Sequence, residues 1–182
     1  MMQPAPSHPC APGRRRVLGL GLGLAAGLTA APLRALAPDA ESPLLTVSGL
    51  IGPEDAEGVE ITFDDAMLAA LPQVGFTTAT IWTSGPHHYS GPSLLSVLAL
   101  AGARGKRVTA VAANAYRSTL AIDALEDTAP IITRRIDGQP FGLRERGPLW
   151  IMFPFDEAPR FRTERHFAQC VWQLTGLIVG GG

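Results

Sequence analysis

Apolar and polar positions fall into short blocks along this chain, each closed by a turn residue. Residues 44–47 form an apolar run ending at Ser48-Gly49, and 59–63 alternate like a half-buried strand. Thr62-Phe63-Asp64-Asp65 has capping-box spacing, with Thr62 as the cap and an acid three residues on. A helix is therefore expected over 64–71, stopped by Pro72. Residues 74–82 are rich in threonine and aromatic side chains and predict a strand ending at Trp82. A loop carrying His87 and His88 follows, and Pro92 sits where a first helical turn accepts it. Leu94, Leu95, Val97, Leu98 and Leu100 make a strongly apolar helix closed by Gly102, and such a helix must be largely buried.

The second half continues in the same short units. Strands are expected over 107–113 and 117–122, with Asp123 capping a single helical turn. Residues 131–136 lead into Asp137-Gly138, a strong hairpin-turn signal. Residues 149–153 form a continuous apolar strand broken by Pro154. Thr163 caps a short helix running to 169, and 171–179 close the chain as a strand. The pattern predicts an α+β domain of many short strands and two or three short helices. It has no βα repeat and no glycine-rich phosphate loop after a strand, which argues against a nucleotide-binding sheet.

The N-terminal block obeys different rules. Arg14-Arg15-Arg16 precedes a glycine-diluted apolar run over 17–28, and Ala35-Leu36-Ala37 is a small-x-small cleavage site. Pro32 and Arg34 interrupt the run well short of the roughly 20 apolar residues a membrane span requires. The expectation is a signal peptide over 1–37 with the paired arginines of the twin-arginine route, a linker over 38–43 and a domain over 44–182. Such a protein is periplasmic or secreted and meets the membrane only during export. Without the leader, 11 basic and 16 acidic side chains remain, a net charge of −5, which argues against nucleic acid as a partner. Cys170 becomes the single thiol, so no intrachain disulfide is available.

Several positions carry chemistry on their face. Adjacent His87 and His88 point to opposite sides of an extended chain, so the pair is a poor metal chelate. Asn114-Ala115-Tyr116-Arg117-Ser118 presents amide, phenol, guanidinium and hydroxyl groups at one strand end, where binding groups often gather. Arg144-Glu145-Arg146 reads as a solvated loop or an anion site, and His166 as part of a polar helix start. Cys170 lies between apolar neighbours and reads as a buried, inert thiol. Ser84 and Ser90 lack a Gly-x-Ser-x-Gly frame, which counts against a hydrolase.

Five segments, in order, resemble the molybdopterin-binding domain of the sulfite oxidase family in its small single-domain branch. They are Leu45-Thr46-Val47-Ser48-Gly49; Tyr89-Ser90-Gly91-Pro92-Ser93-Leu94-Leu95-Ser96-Val97-Leu98; Tyr116-Arg117-Ser118-Thr119-Leu120-Ala121-Ile122; Asp137-Gly138-Gln139-Pro140-Phe141; and Gly147-Pro148-Leu149-Trp150-Ile151-Met152-Phe153-Pro154. The resemblance implies a molybdenum or tungsten pterin held in a cleft, with Tyr116 as the catalytic pocket residue. It sets Trp82, His87, His88, Asn114 and Arg117 around the cofactor. The family's enzymes bind the metal through a cysteine thiolate at the end of the strand matching 76–82. This chain has Thr80-Ile81-Trp82-Thr83 there, and Cys170 lies in another segment. Trp150 replaces the family's arginine, and Lys106, the single lysine, is not at the family's lysine position. Two readings follow. One is an exported molybdopterin-binding oxidoreductase-like domain, with a small substrate or a redox partner protein, whose missing ligand cysteine counts against redox activity. The other is a metal-free periplasmic binding or accessory domain for a small organic anion or a partner protein.

Overall fold

The computed structural model describes residues 42–53 and 58–181; the expected leader and the linker up to residue 41 lie outside the described residues. Among the described residues ten strands run in chain order: β1 Leu45–Gly49, β2 Glu60–Phe63, β3 Gln73–Ala79, β4 Pro86–Pro92, β5 Arg107–Ala112, β6 Arg117–Ala121, β7 Ile131–Thr133, β8 Arg135–Ile136, β9 Trp150–Met152 and β10 Leu174–Gly180. Three short α-helices accompany them: α1 Asp65–Ala70 between β2 and β3, α2 Leu94–Leu100 between β4 and β5, and α3 Glu164–Gln169 before β10. The architecture is α+β, with one five-stranded, one three-stranded and one two-stranded sheet. No described helix is long and apolar enough to cross a membrane.

The large sheet has the order β2-β1-β10-β5-β6. Its first and last strands, β1 and β10, pair in parallel at its centre, with Val47 opposite Leu177. All other pairings within it are antiparallel. Strand alternation, with a β-bulge between Leu174 and Gly176 resetting the register of β10, sends Leu45, Val47, Val108, Ala110, Leu174 and Leu177 into one core that also holds Leu94, Val97 and Leu98 of α2. The second sheet has the order β3-β4-β8, and the third pairs β7 with β9. These two sheets lie close together at Gly91, where a Cβ would collide with the Ile132 carbonyl, so no larger residue fits.

Several expected boundaries move, each for a tertiary reason. Thr62 does not cap α1, because it is paired with Thr46 in the β1–β2 ladder. Asp64 takes the role, accepting a 2.7 Å hydrogen bond from the Met67 amide. Pro92 ends β4 instead of opening α2; Ser93 caps that helix while bridging to Ile131. His87 and His88 belong to a strand, not a loop, because β4 is held by β3 on one side and β8 on the other. Asp123 lies inside a 3₁₀ turn, Ile122–Ala124, without capping it. The Asp137-Gly138 turn forms as expected. Both residues have positive φ (50° and 76°), and Ile136 bridges Gln139 across them. Thr163 caps α3 as expected, accepting from the His166 amide.

One ion cluster anchors α1 to the second sheet. The Asp65 carboxylate accepts from Arg134 at 2.6 Å and from Arg135 at 2.8 Å. Burial pushes its pKa up, but the hydrogen bonds and positive charge of the two guanidiniums prevail and hold it below the ordinary carboxylate value. The resulting stabilisation is present above the unfolded-state pKa and is lost as pH falls through the lowered folded-state value. Asp65→Ala is therefore expected to lower unfolding stability by about 1–3 kcal/mol at neutral pH. The difference from wild type should shrink on acidification below pH ~4. Urea denaturation at both pH values checks this.

Candidate functional site

β3 ends at Ala79, and the chain then turns sharply. Thr80 Oγ1 accepts from the amides of Trp82 (3.2 Å) and Thr83 (3.1 Å), a hydroxyl-centred turn of the kind threonine forms readily. The same oxygen lies 2.7 Å from Thr83 Oγ1, which lies 3.2 Å from the phenol of the fully buried Tyr89. The turn seats the Trp82 indole among other rings. It meets Trp150 (5.7 Å between centroids), Trp172 (5.9 Å) and Phe167 (5.9 Å), each in an edge-on arrangement. Trp150 comes from β9, Phe167 from α3 and Trp172 from the approach to β10.

The opposite wall comes from the β5–β6 turn. Asn114 Oδ1 accepts from the Tyr116 amide at 3.0 Å, and Ala115 takes a left-handed conformation (φ 66°). Tyr116 is half exposed, and its hydroxyl donates to the Ala168 carbonyl at 2.8 Å, tying the turn to α3. Between the walls lies a cavity of about 320 Å³ lined by Trp82, Asn114, Tyr116, Phe167, Cys170 and Trp172, with Ala112 and Ala168 filling the gaps. Its lining is mostly aromatic and aliphatic, with an amide, a phenol, a thiol and two indole N–H groups as the side-chain polar groups.

Trp82, Asn114 and Tyr116, singled out from the sequence, thus share one cavity. Three other candidates do not line it. His87 is engaged at both ring nitrogens, Nδ1 with Asp137 Oδ2 at 2.7 Å and Nε2 with the Ser84 carbonyl at 3.1 Å. The ring of His88, the next residue along the strand, lies 3.4 Å from Thr77 Oγ1. Its backbone amide donates to Asp137 Oδ1, so Asp137 clasps both histidines. The hydrogen bonds to His87 and His88 hold the Asp137 carboxyl below its usual range. Arg117 opens β6 opposite Val111 and is exposed.

Phe167 and Trp172 line the cavity although the sequence does not single them out, and Cys170, which reads as a buried, inert thiol, lines it too. Their side chains, at 167, 170 and 172, cross the junction where a helix gives way to a strand, as ordinary core residues also do, so no local signal marks them. Cys170 is buried, and burial drives its thiol far above the ordinary range, only partly opposed by a hydrogen bond from the Phe153 backbone. The sulfur facing this cavity is therefore a neutral thiol.

A metal pterin would demand a thiolate ligand, and cations or clustered donors for its phosphate. The lining supplies no lysine, arginine or histidine. Among the described residues no three His, Cys, Asp or Glu side chains are grouped to hold a metal. The hydroxyls of Thr80 and Thr83 occupy the strand end where the family resemblance expects the ligand cysteine. The residues present do not fit the cofactor.

No protein-family model matches this chain, and no curated protein does. Among solved structures it is similar to the sulfane dehydrogenase SoxCD from Paracoccus pantotrophus, with 18% identity and a TM-score of 0.57. The match covers 76% of this chain and 38% of that one, so this chain spans well under half of its neighbour's length. At this identity the likeness is one of fold.

The burial of Cys170 makes its reactivity a direct readout of the cavity wall. In the native protein, iodoacetamide labelling of Cys170 at pH 8 should run roughly a hundredfold slower than in the urea-unfolded chain, because thiolate fraction falls about tenfold per pKa unit. Peptide-resolved mass spectrometry checks this, and comparable native and unfolded rates would contradict it.

Proposed function

We propose that this chain is an exported, metal-free binding or accessory domain built on the sulfite oxidase-type molybdopterin-binding fold. The fold likeness to an oxidoreductase supports the ancestry, and the leader pattern supports export. One observation carries the choice between the two sequence readings: the cavity is walled by Trp82, Phe167 and Trp172 and holds a neutral, buried thiol where a metal site would need a thiolate. Apolar, ring-lined concavities with a few polar groups are what small organic ligands bind.

The chain's own residues divide the work. Trp82, Phe167 and Trp172 offer ring surface and exclude water. Asn114 Oδ1 is committed to the Tyr116 amide, which leaves the amide nitrogen of Asn114 as a donor. Tyr116 acts as a rim group that orients a ligand, its hydroxyl bonded to the Ala168 carbonyl. A reaction at Tyr116 would first have to break that bond, which is a reason to prefer binding over catalysis.

Protein purified from its native compartment should contain no stoichiometric molybdenum or tungsten. It should release no fluorescent pterin after oxidative extraction, while giving a cooperative unfolding transition. A stoichiometric metal with a pterin would replace this proposal with the oxidoreductase reading.

A further inference from the structure

The ligand class follows from a side chain just outside the cavity lining, and the inference rests on the binding reading above. Arg146 follows the 3₁₀ turn Leu143–Glu145 in a left-handed conformation (φ 71°), and its carbonyl accepts from the Gln173 amide at 2.9 Å. Gln173, directly after Trp172, is itself left-handed (φ 48°). Two residues in a disfavoured backbone region thus clasp one another beside the cavity wall. The clasp lays the Arg146 guanidinium over Trp150 (5.8 Å to the ring centroid) and over the cavity-lining Trp172 (6.0 Å).

This guanidinium is unlike the other half-buried ones. Arg134 and Arg135 share the Asp65 carboxylate, and more exposed Arg160 and Arg162 pair with Glu126 and Asp156. Arg146 is also partly buried, yet among the described residues no carboxylate pairs with it and its guanidinium donates no hydrogen bond. Aromatic faces offset part of the cost of partly removing a guanidinium from water, and they leave its planar fork of donors without a protein partner. A cationic ligand would be repelled here, and a purely apolar one would make no use of those donors. A carboxylate matches the fork in two parallel hydrogen bonds.

We infer that the cavity binds a planar aromatic carboxylate, its ring among Trp82, Phe167 and Trp172 and its acid group turned toward Arg146. A volume of about 320 Å³ accommodates a two-ring aromatic with a small substituent. The net charge of −5 outside the leader gives anions no long-range attraction, so selectivity must come from this one local cation.

Naphthoate and its neutral isostere naphthamide, titrated into the purified exported protein by calorimetry, test the inference. Naphthoate should bind with at least a roughly tenfold preference, and Arg146→Gln should abolish that preference while naphthamide affinity stays within about twofold. Equal affinity of the wild type for both probes overturns the carboxylate inference and leaves the binding reading standing. A naphthoate preference that survives in Arg146→Gln also overturns it, by assigning the charge recognition elsewhere. Binding of neither probe to a protein with native Cys170 protection overturns the binding reading as well. Should Arg146→Gln unfold, Arg146→Lys replaces it; this keeps the charge but loses the fork, and a reduced preference is expected.

Discussion

The architecture depends on a single packing problem: how three small sheets share one interior. The answer is Trp150, fully buried on β9. Its ring meets Tyr89 of β4 at 6.1 Å, Trp82 of the turn after β3 at 5.7 Å and Trp172 before β10 at 6.4 Å. One side chain therefore touches the three-stranded sheet, the approach to the five-stranded sheet and its own two-stranded pair. Aromatic pairs of this kind contribute about 0.5–1.5 kcal/mol each beyond the area they bury. Their greater effect is geometric. Edge-on contacts specify ring orientation, so the cavity wall is as well defined as the core behind it. The cost is visible in Trp150 itself, whose indole nitrogen is buried without a hydrogen-bond partner.

This arrangement explains why the candidate site was only half legible in the sequence. Trp82, Asn114 and Tyr116 announce themselves locally: a tryptophan at a strand end, and an Asx-type turn carrying a phenol. Phe167, Cys170 and Trp172 carry no local mark that separates a cavity wall from ordinary core, because the difference is whether an opposite wall is present. That wall arrives from β5 and β6, roughly fifty residues earlier in the chain. His87 and His88 fail in the opposite direction. Two adjacent imidazoles are conspicuous in one dimension, but a ladder between β3 and β8 spends them on Asp137, Ser84 and Thr77.

The fold follows the same division. Strands with β-branched or apolar alternation, such as β1, β5 and β10, and the strongly apolar α2, could be read directly because burial and propensity agree there. β4 could not. It runs Pro-His-His-Tyr-Ser-Gly-Pro, a turn-like composition that becomes a strand through neighbours on both edges. Its two prolines lie at its ends, where a missing amide costs the ladder least, and Gly91 is required by the close backbone of β7.

The chemistry of the cavity is constrained by what surrounds it as much as by what lines it. At the end of β3, Thr80, Thr83 and Tyr89 form a chain of neutral hydroxyls. Burial pushes the Tyr89 phenol above its usual pKa, against weaker opposition from the two threonines, so the chain stays uncharged at neutral pH. A thiolate and its metal at that place would put charge into a region organised around neutral hydroxyls and ring edges. Placing a cysteine at position 83 would remove the link between Thr80 and Tyr89 before it supplied any ligand. Metal chemistry at that place would therefore require dismantling the Thr80–Thr83–Tyr89 hydroxyl chain.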